Sequence, residues 1–191
     1  VDQCDALATP DTVPPEVGAP LSDAEASRFT TAVNGAPLVL LTQNLWYENE
    51  EPDATARAVM GRDADVLVLV EYTPAHAAAF RRAGVRAAYP YRWEEPGERG
   101  GGLAVMSKVP FGDVQRLSTW SGAVRMDLET GAGPLTLYAV HPVAPSDFYG
   151  LRRWKRDYRT LTDAISGSPP NTVVAGDFNA TGAHRRFRVL K

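Results

Sequence analysis

The sequence predicts an α/β protein in which a central pair of mixed β-sheets is flanked by helices. Two observations carry this. From Pro37 onward, uniformly apolar runs alternate with segments of helical periodicity, the layout of strands buried on both faces and covered by helices. After residue 100, four strand-like runs follow one another with only turns between them. Such a meander fits a two-sheet sandwich better than a single doubly wound sheet. A doubly wound nucleotide-binding domain is further disfavoured because no glycine-rich phosphate loop opens a helix after the first apolar run.

The elements run in order along the chain. The first twenty residues carry Pro10, Pro14, Pro15 and Pro20 with little apolar content and read as an extended leader. Ser22 with Glu25 forms a capping box that predicts a short helix reaching about Val33 and ending at Gly35. Residues 1–36 are thus expected to be a leader with a short helix, and residues 37–191 the single domain. Within it, "PLVLLTQN" reads as a strand, "DATARAVMGRD" as a helix, "DVLVLVE" as a strand and "PAHAAAFRRAG" as a helix. The meander comprises "GLAVMSK", "DVQRLS", "AVRMDLE" and "LTLYAVH", the last two joined by the hairpin loop "TGAGP". A longer helix then sets Leu151, Trp154, Tyr158, Leu161 and Ile165 on one face. Its other face carries Arg152, Arg153, Lys155, Arg156 and Arg159. "NTVVAG" is the last clear strand, and "HRRFRVLK" opens a helix.

Composition narrows the functional classes. With 191 residues, 44% hydrophobic and 23% charged, the chain is that of an ordinary globular domain. Its net charge of −3 argues against a broadly basic nucleic-acid binder, while leaving room for local basic patches. No apolar run approaches a membrane span. Cys4 is the only cysteine, which excludes an internal disulfide and a thiolate metal cluster. The chain begins with Val, so we expect it to have been processed or trimmed, with no signal peptide left to read.

The residues that terminate the apolar strands point to chemistry. "PLVLLTQ" runs into Asn44, "DVLVLV" into Glu71, "LTLYAV" into His141, and "NTVVAG" into Asp177 and Asn179. Buried strands deliver their next residue to the carboxyl edge of the sheet, where α/β proteins place their sites. Each residue alone has a structural explanation: a turn for Asn44, Asp177 and Asn179, a helix-dipole contact for Glu71, a satisfied polar side chain for His141. A scaffold needs no such set at four strand ends. Carboxylates are hard oxygen ligands for Mg²⁺ or Mn²⁺, and Asn and His can donate to a phosphate whose charge grows in a transition state.

These segments resemble the endonuclease/exonuclease/phosphatase superfamily, the DNase I-like metal-dependent phosphoesterases. "LTQNLWYEN" resembles its first motif and carries Asn44. "DADVLVLVEYTP" resembles the second and carries Glu71, while "GGLAVMSKVP" is similar to the glycine-led core strand. "LYAVHPVAP" resembles the strand that ends in the phosphate-contacting His, here His141. "VVAGDFNAT" resembles the most specific motif, with Asp177 and Asn179. The resemblance implies a four-layer sandwich of two mixed sheets between helices. It implies a metal held at Glu71 with Asn44 beside it, a water positioned by Asp177 for in-line attack, and phosphate oxygens held by Asn44, Asn179 and His141. Arg125 is a further candidate for a substrate phosphate, against the simpler reading of a solvated strand arginine. Substrates on this fold include nucleic acid, phospholipid headgroups and inositol phosphates, and the basic helix face could follow a phosphate backbone or simply be solvated. The motifs look most like those of bacterial extracytoplasmic or membrane-tethered members, so an extracytoplasmic setting is expected.

The resemblance also has a gap. Family members continue past "GDFNA" for several dozen residues and close on an Asp-His pair whose His is the general base or phosphate-binding partner, whereas this chain ends at Lys191 and is expected to carry the metal and phosphate half of the site without that His. The domain is therefore expected to be C-terminally incomplete. We expect it to belong to a longer chain rather than to substitute its leader, which offers no β-rich run. Of the other histidines, His76 lies in an alanine-rich helix and reads as a surface or packing residue, while His184 follows the Asp177 motif and could approach the site. The alternative to a hydrolase is a binding module that keeps the fold without the chemistry.

Overall fold

The computed structural model describes residues 26–33, 36–131 and 133–190. Nine strands and five helices are assigned among them. The first sheet contains β1 (Ala26–Val33), β2 (Ala36–Asn44), β3 (Val66–Val70), β5 (Leu103–Ser107) and β4 (Tyr91–Glu95), in the order β1-β2-β3-β5-β4. The second contains β6 (Gln115–Arg116), β7 (Ala123–Thr130), β8 (Gly133–Val140) and β9 (Thr172–Gly176), in that order. Both are mixed: β2 with β3 and β8 with β9 run parallel, and the other pairs antiparallel.

The alternation of side chains along each strand builds the layers. Leu38, Leu40, Val66, Val68, Val70, Leu103 and Val105 of the first sheet meet Val124, Met126, Leu128, Leu135, Leu137 and Ala139 of the second in one buried core. The opposite face of the first sheet, with Leu41, Leu67, Leu69, Ala104 and Met106, packs on helices α1 (Pro52–Met60), α2 (Pro74–Arg82) and α3 (Val85–Ala88). The opposite face of the second sheet, with Ala123, Tyr138 and Val140, packs on Leu161 of α4 (Phe148–Ser166). The result is the four-layer sandwich that the resemblance implied. A short α5 (Arg185–Val189) follows β9, and no described helix is long and apolar enough to cross a membrane.

The helices start where the chain chemistry says they should. Pro74 fills the first turn of α2, and the Thr73 side chain accepts from the His76 backbone N–H. Asp147 caps α4 by accepting from the Gly150 N–H at 2.7 Å.

Two elements differ from the sequence reading. The helix expected to reach Val33 is instead a strand from Ala26, paired antiparallel with β2 in the register Val33↔Ala36; Ser22 and Glu25 lie outside the described residues. The segment "FTTAV" is rich in residues that favour strands. The two residues between the paired positions are Asn34-Gly35, the strongest short hairpin signal, which a helical reading takes for a helix stop. This part of the leader therefore does carry a β-rich run. The second difference is β4, whose sequence "YRWEE" does not read as a strand. It is the edge strand beyond β5, and half-exposed edge positions tolerate the charges that hide it.

Candidate active site

The site forms where the ends of β2 and β3 meet those of β8 and β9. Asn44 closes β2, and its Nδ2 donates to Glu71 Oε1 and to Asp177 Oδ2, each at 2.9 Å. One amide thus bridges a carboxylate from each sheet. His141, which directly follows β8, presents Nε2 at 3.9 Å from Glu71 Oε1 and 4.0 Å from Asp177 Oδ2. Its side chain is buried, and its Nδ1 has no hydrogen-bond partner. The ring proton is accordingly assigned to Nε2, where it faces the two carboxylates, because an unpaired buried N–H would face nothing.

The backbone around these groups is specialised. Glu71 Oε2 accepts from the Tyr47 N–H, and Asn44 Oδ1 from the Trp46 N–H, each at 2.9 Å. Asp177 Oδ1 accepts from the Asn179 N–H at 2.9 Å, while Asn179 Nδ2 donates to the Pro142 carbonyl at 2.9 Å. Trp46, Glu71 and Asn179 all have positive φ, at 56°, 56° and 45°. Non-glycine residues in this region are strained, and such strain gathers at functional sites. Gly176 explains the glycine of "GDFN". Its φ is 140°, and a Cβ there would lie 1.8 Å from the Val140 carbonyl oxygen, so only glycine lets β9 close on β8 and deliver Asp177 beside His141.

The structure therefore brings together Asn44, Glu71, His141 and Asp177, with Asn179 on the rim. It does not bring Arg125 there. Val124, Met126 and Leu128 of β7 point into the core, so Arg125 lies on the other face and is held by both oxygens of Asp127 at 2.9 Å. Nor does His184 join: its ring lies 5.4 Å from that of Trp154, and its Nδ1 takes the Thr181 N–H. His76 is a buried packing residue at the start of α2.

Sequence reasoning passed over two supports. Tyr158 donates its hydroxyl to the Phe178 carbonyl at 2.9 Å, and burial, with the negative charge of Asp177, pushes its pKa above the usual phenol range. Asp157 is buried on the core side of α4 and accepts from the N–H groups of Trp120 and Val143 at 2.9 and 3.2 Å. It ties the loop before β7 to the loop after His141. Burial raises its pKa, against the lowering effect of those two donors. The sequence did hold a sign of it, a lone acid among the apolar positions of an amphipathic helix.

The donor set is one of hard oxygens. Glu71 and Asp177 share an amide and a histidine, and neither has an Arg or Lys within ion-pair distance among the described residues. Two uncompensated carboxylates held this close favour a cation between or beside them. Among the described residues no group of three or more His, Cys, Asp or Glu side chains is placed to hold a metal ion, so the oxygen donors at hand for an ion here are the Glu71 and Asp177 carboxylates.

The profile of the Endonuclease/Exonuclease/phosphatase family matches residues 41–191, most of the chain. The chain belongs to this family. No curated protein matches it closely enough to count as a relative. Among solved structures, D. rerio TDP2 complexed with single strand DNA product matches at 18% identity and a TM-score of 0.62, over 76% of this chain and 62% of that one. Sphingomyelinase C from Streptomyces griseocarneus matches at 19% and 0.61, over 79% and 67%. A beta toxin mutant from Staphylococcus aureus with bound magnesium ions matches at 14% and 0.60, over 79% and 68%. At these identities the likeness is one of fold, and this endonuclease/exonuclease/phosphatase chain spans about two thirds of the length of each.

Proposed function

We propose that the protein is a divalent-metal-dependent phosphodiesterase acting at the Asn44–Glu71–His141–Asp177 cluster. Membership of a family of metal-dependent phosphoesterases and nucleases supplies the reaction class. The observation that carries the reading is the single amide of Asn44 joining the Glu71 and Asp177 carboxylates across the two sheets, with His141 Nε2 facing both.

In this reading Glu71, with Asn44 beside it, holds Mg²⁺ or Mn²⁺. The ion, when bound, polarises a phosphoryl oxygen and offsets the negative charge of the site. Asp177 orients a water for in-line attack on phosphorus and accepts its proton as the new P–O bond forms and the ester P–O bond breaks. His141 donates from Nε2 to a non-bridging oxygen as charge builds there. Asn179, pinned by the Pro142 carbonyl, keeps a second N–H for the same purpose. The amide of Asn44 donates to both carboxylates in the free protein, and were Glu71 to hold an ion, that amide would be free to donate to a phosphate oxygen instead. The fold neighbours include a TDP2 with a DNA product and a sphingomyelinase C; for this chain we propose a phosphodiester substrate.

Hydrolysis of bis(p-nitrophenyl) phosphate tests the reading. Activity should require Mg²⁺ or Mn²⁺, vanish with EDTA, and fall by about 10² to 10⁴ in Asp177→Ala, the usual effect of removing a general base. Binding of metal and phosphate without any turnover would instead identify a binding module that retains the fold.

A further inference from the structure

Resting on the phosphodiesterase reading, we infer that Asp157 and Tyr158, neighbours on α4, are positioning residues for the reaction. Each aims a side chain of the site by holding the far end of a single peptide unit. Asp157 acts on Asn179 and on the backbone of His141, and Tyr158 acts on Asp177. Both are buried, so neither meets substrate itself.

Two peptide units carry the inference. The first joins Pro142 to Val143. Its N–H donates to Asp157 Oδ2 at 3.2 Å, and its C=O accepts from Asn179 Nδ2 at 2.9 Å. The second joins Phe178 to Asn179. Its C=O accepts from the Tyr158 hydroxyl at 2.9 Å, and its N–H donates to Asp177 Oδ1 at 2.9 Å. Both units are trans. Such a group is planar, with N–H and C=O pointing in opposite directions, so fixing one end aims the other. Bonds along the chain also polarise one another, each strengthening the next.

The ends of these relays hold what the reaction needs aimed. One N–H of the Asn179 amide is spent on Pro142, which sets the direction of the other, the one assigned to a phosphate oxygen. Asp177 has one oxygen on the Asn179 N–H and the other on Asn44, which fixes the plane of the carboxylate for the attacking water. The second oxygen of Asp157 reaches His141 from another side. Oδ1 accepts from the Trp120 N–H at 2.9 Å, and two residues on, the Gly122 carbonyl accepts from the His141 N–H at 2.9 Å. Two consecutive residues thus reach His141, Asp177 and Asn179. Glu71 and Asn44 are held separately, by the N–H groups of Tyr47 and Trp46.

Packing alone gives no reason for this pair. A carboxylate buried on the core side of a helix costs desolvation that an apolar residue would not. Trp154 and Leu161 already supply apolar contacts on that face. The Tyr158 ring packs on Trp154 with 4.4 Å between centroids, a contact that phenylalanine would keep without the hydroxyl.

Tyr158→Phe and Asp157→Asn test the relays. The first deletes one donor; the second keeps the shape but turns one acceptor into a donor that faces an N–H. With bis(p-nitrophenyl) phosphate, kcat should fall by about 10- to 100-fold in each, the usual effect of losing an outer support of a site. KM and Mn²⁺ affinity should stay within about twofold, because the aimed groups act as charge builds in the transition state. Leu161→Ala, a cavity on the same helix face, controls for stability: its Tm should fall while kcat is kept at a temperature where it stays folded. Proton–nitrogen NMR gives a readout that a merely structural role would not move. Tyr158→Phe should shift the Asn179 backbone N–H, and Asp157→Asn the Asn179 side-chain NH₂, both towards weaker hydrogen bonding, while the Asn44 NH₂ and the Leu161→Ala spectrum at Asn179 stay in place. Wild-type kcat with unmoved Asn179 resonances in both variants would overturn the inference. So would a loss of kcat with those resonances unmoved, the mark of a general loosening of the fold. The resonances report the relays with or without turnover, so failure of the hydrolase reading is read separately from failure of this one.

Discussion

Replacing Gly176 by Ala perturbs the site without touching any of its functional groups. The new Cβ would lie 1.8 Å from the Val140 carbonyl oxygen and 2.8 Å from its carbon, against a backbone that cannot rotate away because Val140 pairs with Gly176 across β8 and β9. The φ of 140° adds a conformation that L-residues rarely adopt. Overpacking costs about 1–3 kcal/mol and a backbone outlier about the same, so the expected loss is about 2–6 kcal/mol, a large share of ordinary domain stability. For a chain of this size that corresponds to a fall in Tm of roughly 5–20 °C. The chain can relieve the clash only by pushing β9 away from β8, and Asp177 moves with it. A displacement on the order of 1 Å at a reacting group can cost about 10²-fold in rate. Calorimetry and bis(p-nitrophenyl) phosphate hydrolysis at a temperature where the variant stays folded measure the two effects separately. A Gly176→Ala variant with wild-type Tm and wild-type kcat would refute the claim that this glycine sets the position of Asp177.

Other expected outcomes rest on single residues. Glu71→Gln should weaken Mn²⁺ binding by about tenfold or more in calorimetric titration, because it removes one of the few charged oxygen ligands at hand; equal affinity would take Glu71 out of the metal site. Arg125→Ala should leave kcat/KM for bis(p-nitrophenyl) phosphate within about twofold, since its guanidinium is engaged by Asp127 on the far face of β7. Asp157 gives a pH dependence: burial raises its folded-state pKa above the ordinary 3.8, so the folded protein binds the proton more tightly than the unfolded chain. Its contribution to stability is fully present below pH 3.8 and is lost as pH rises through the folded pKa. In denaturant titrations Asp157→Asn should therefore compare progressively less well with wild type as pH falls from about 7 towards about 4; a stability difference independent of pH would show that Asp157 does not titrate differently on folding.

The convergence of the candidate site residues was legible in the chain because they sit at strand ends. Buried strands such as "VLVLV" are unmistakable, and the polar residue that terminates each one marks the sheet edge. Asn44, Glu71, His141 and Asp177 were found in this way, although they are separated by up to 133 positions. The less legible parts depend on partners remote in sequence. Arg125 looked available because strand alternation shows which residues share a face but not which face meets the core; Asp127, two residues on, is what engages it. The strand Ala26–Val33 was obscured because a capping-box pattern upstream competed with the Asn34-Gly35 dipeptide as a sequence signal, and pairing with β2 decided between them. β4 was obscured by its edge position, where one neighbouring strand suffices to fix a segment of charged and aromatic residues. The role of Asp157 required knowing that two loop N–H groups converge on it, which no local pattern encodes.

The central claim is that Asn44, Glu71, His141 and Asp177 form one metal-dependent phosphoester site. Anomalous diffraction from crystals soaked in Mn²⁺ and inorganic phosphate tests it most directly. We expect one manganese peak at the Glu71 carboxylate, with phosphate on the ion and within hydrogen-bond distance of His141 Nε2. Manganese found only at carboxylates elsewhere, such as Asp53 or Asp163, with the strand-end cluster unchanged, would contradict the account.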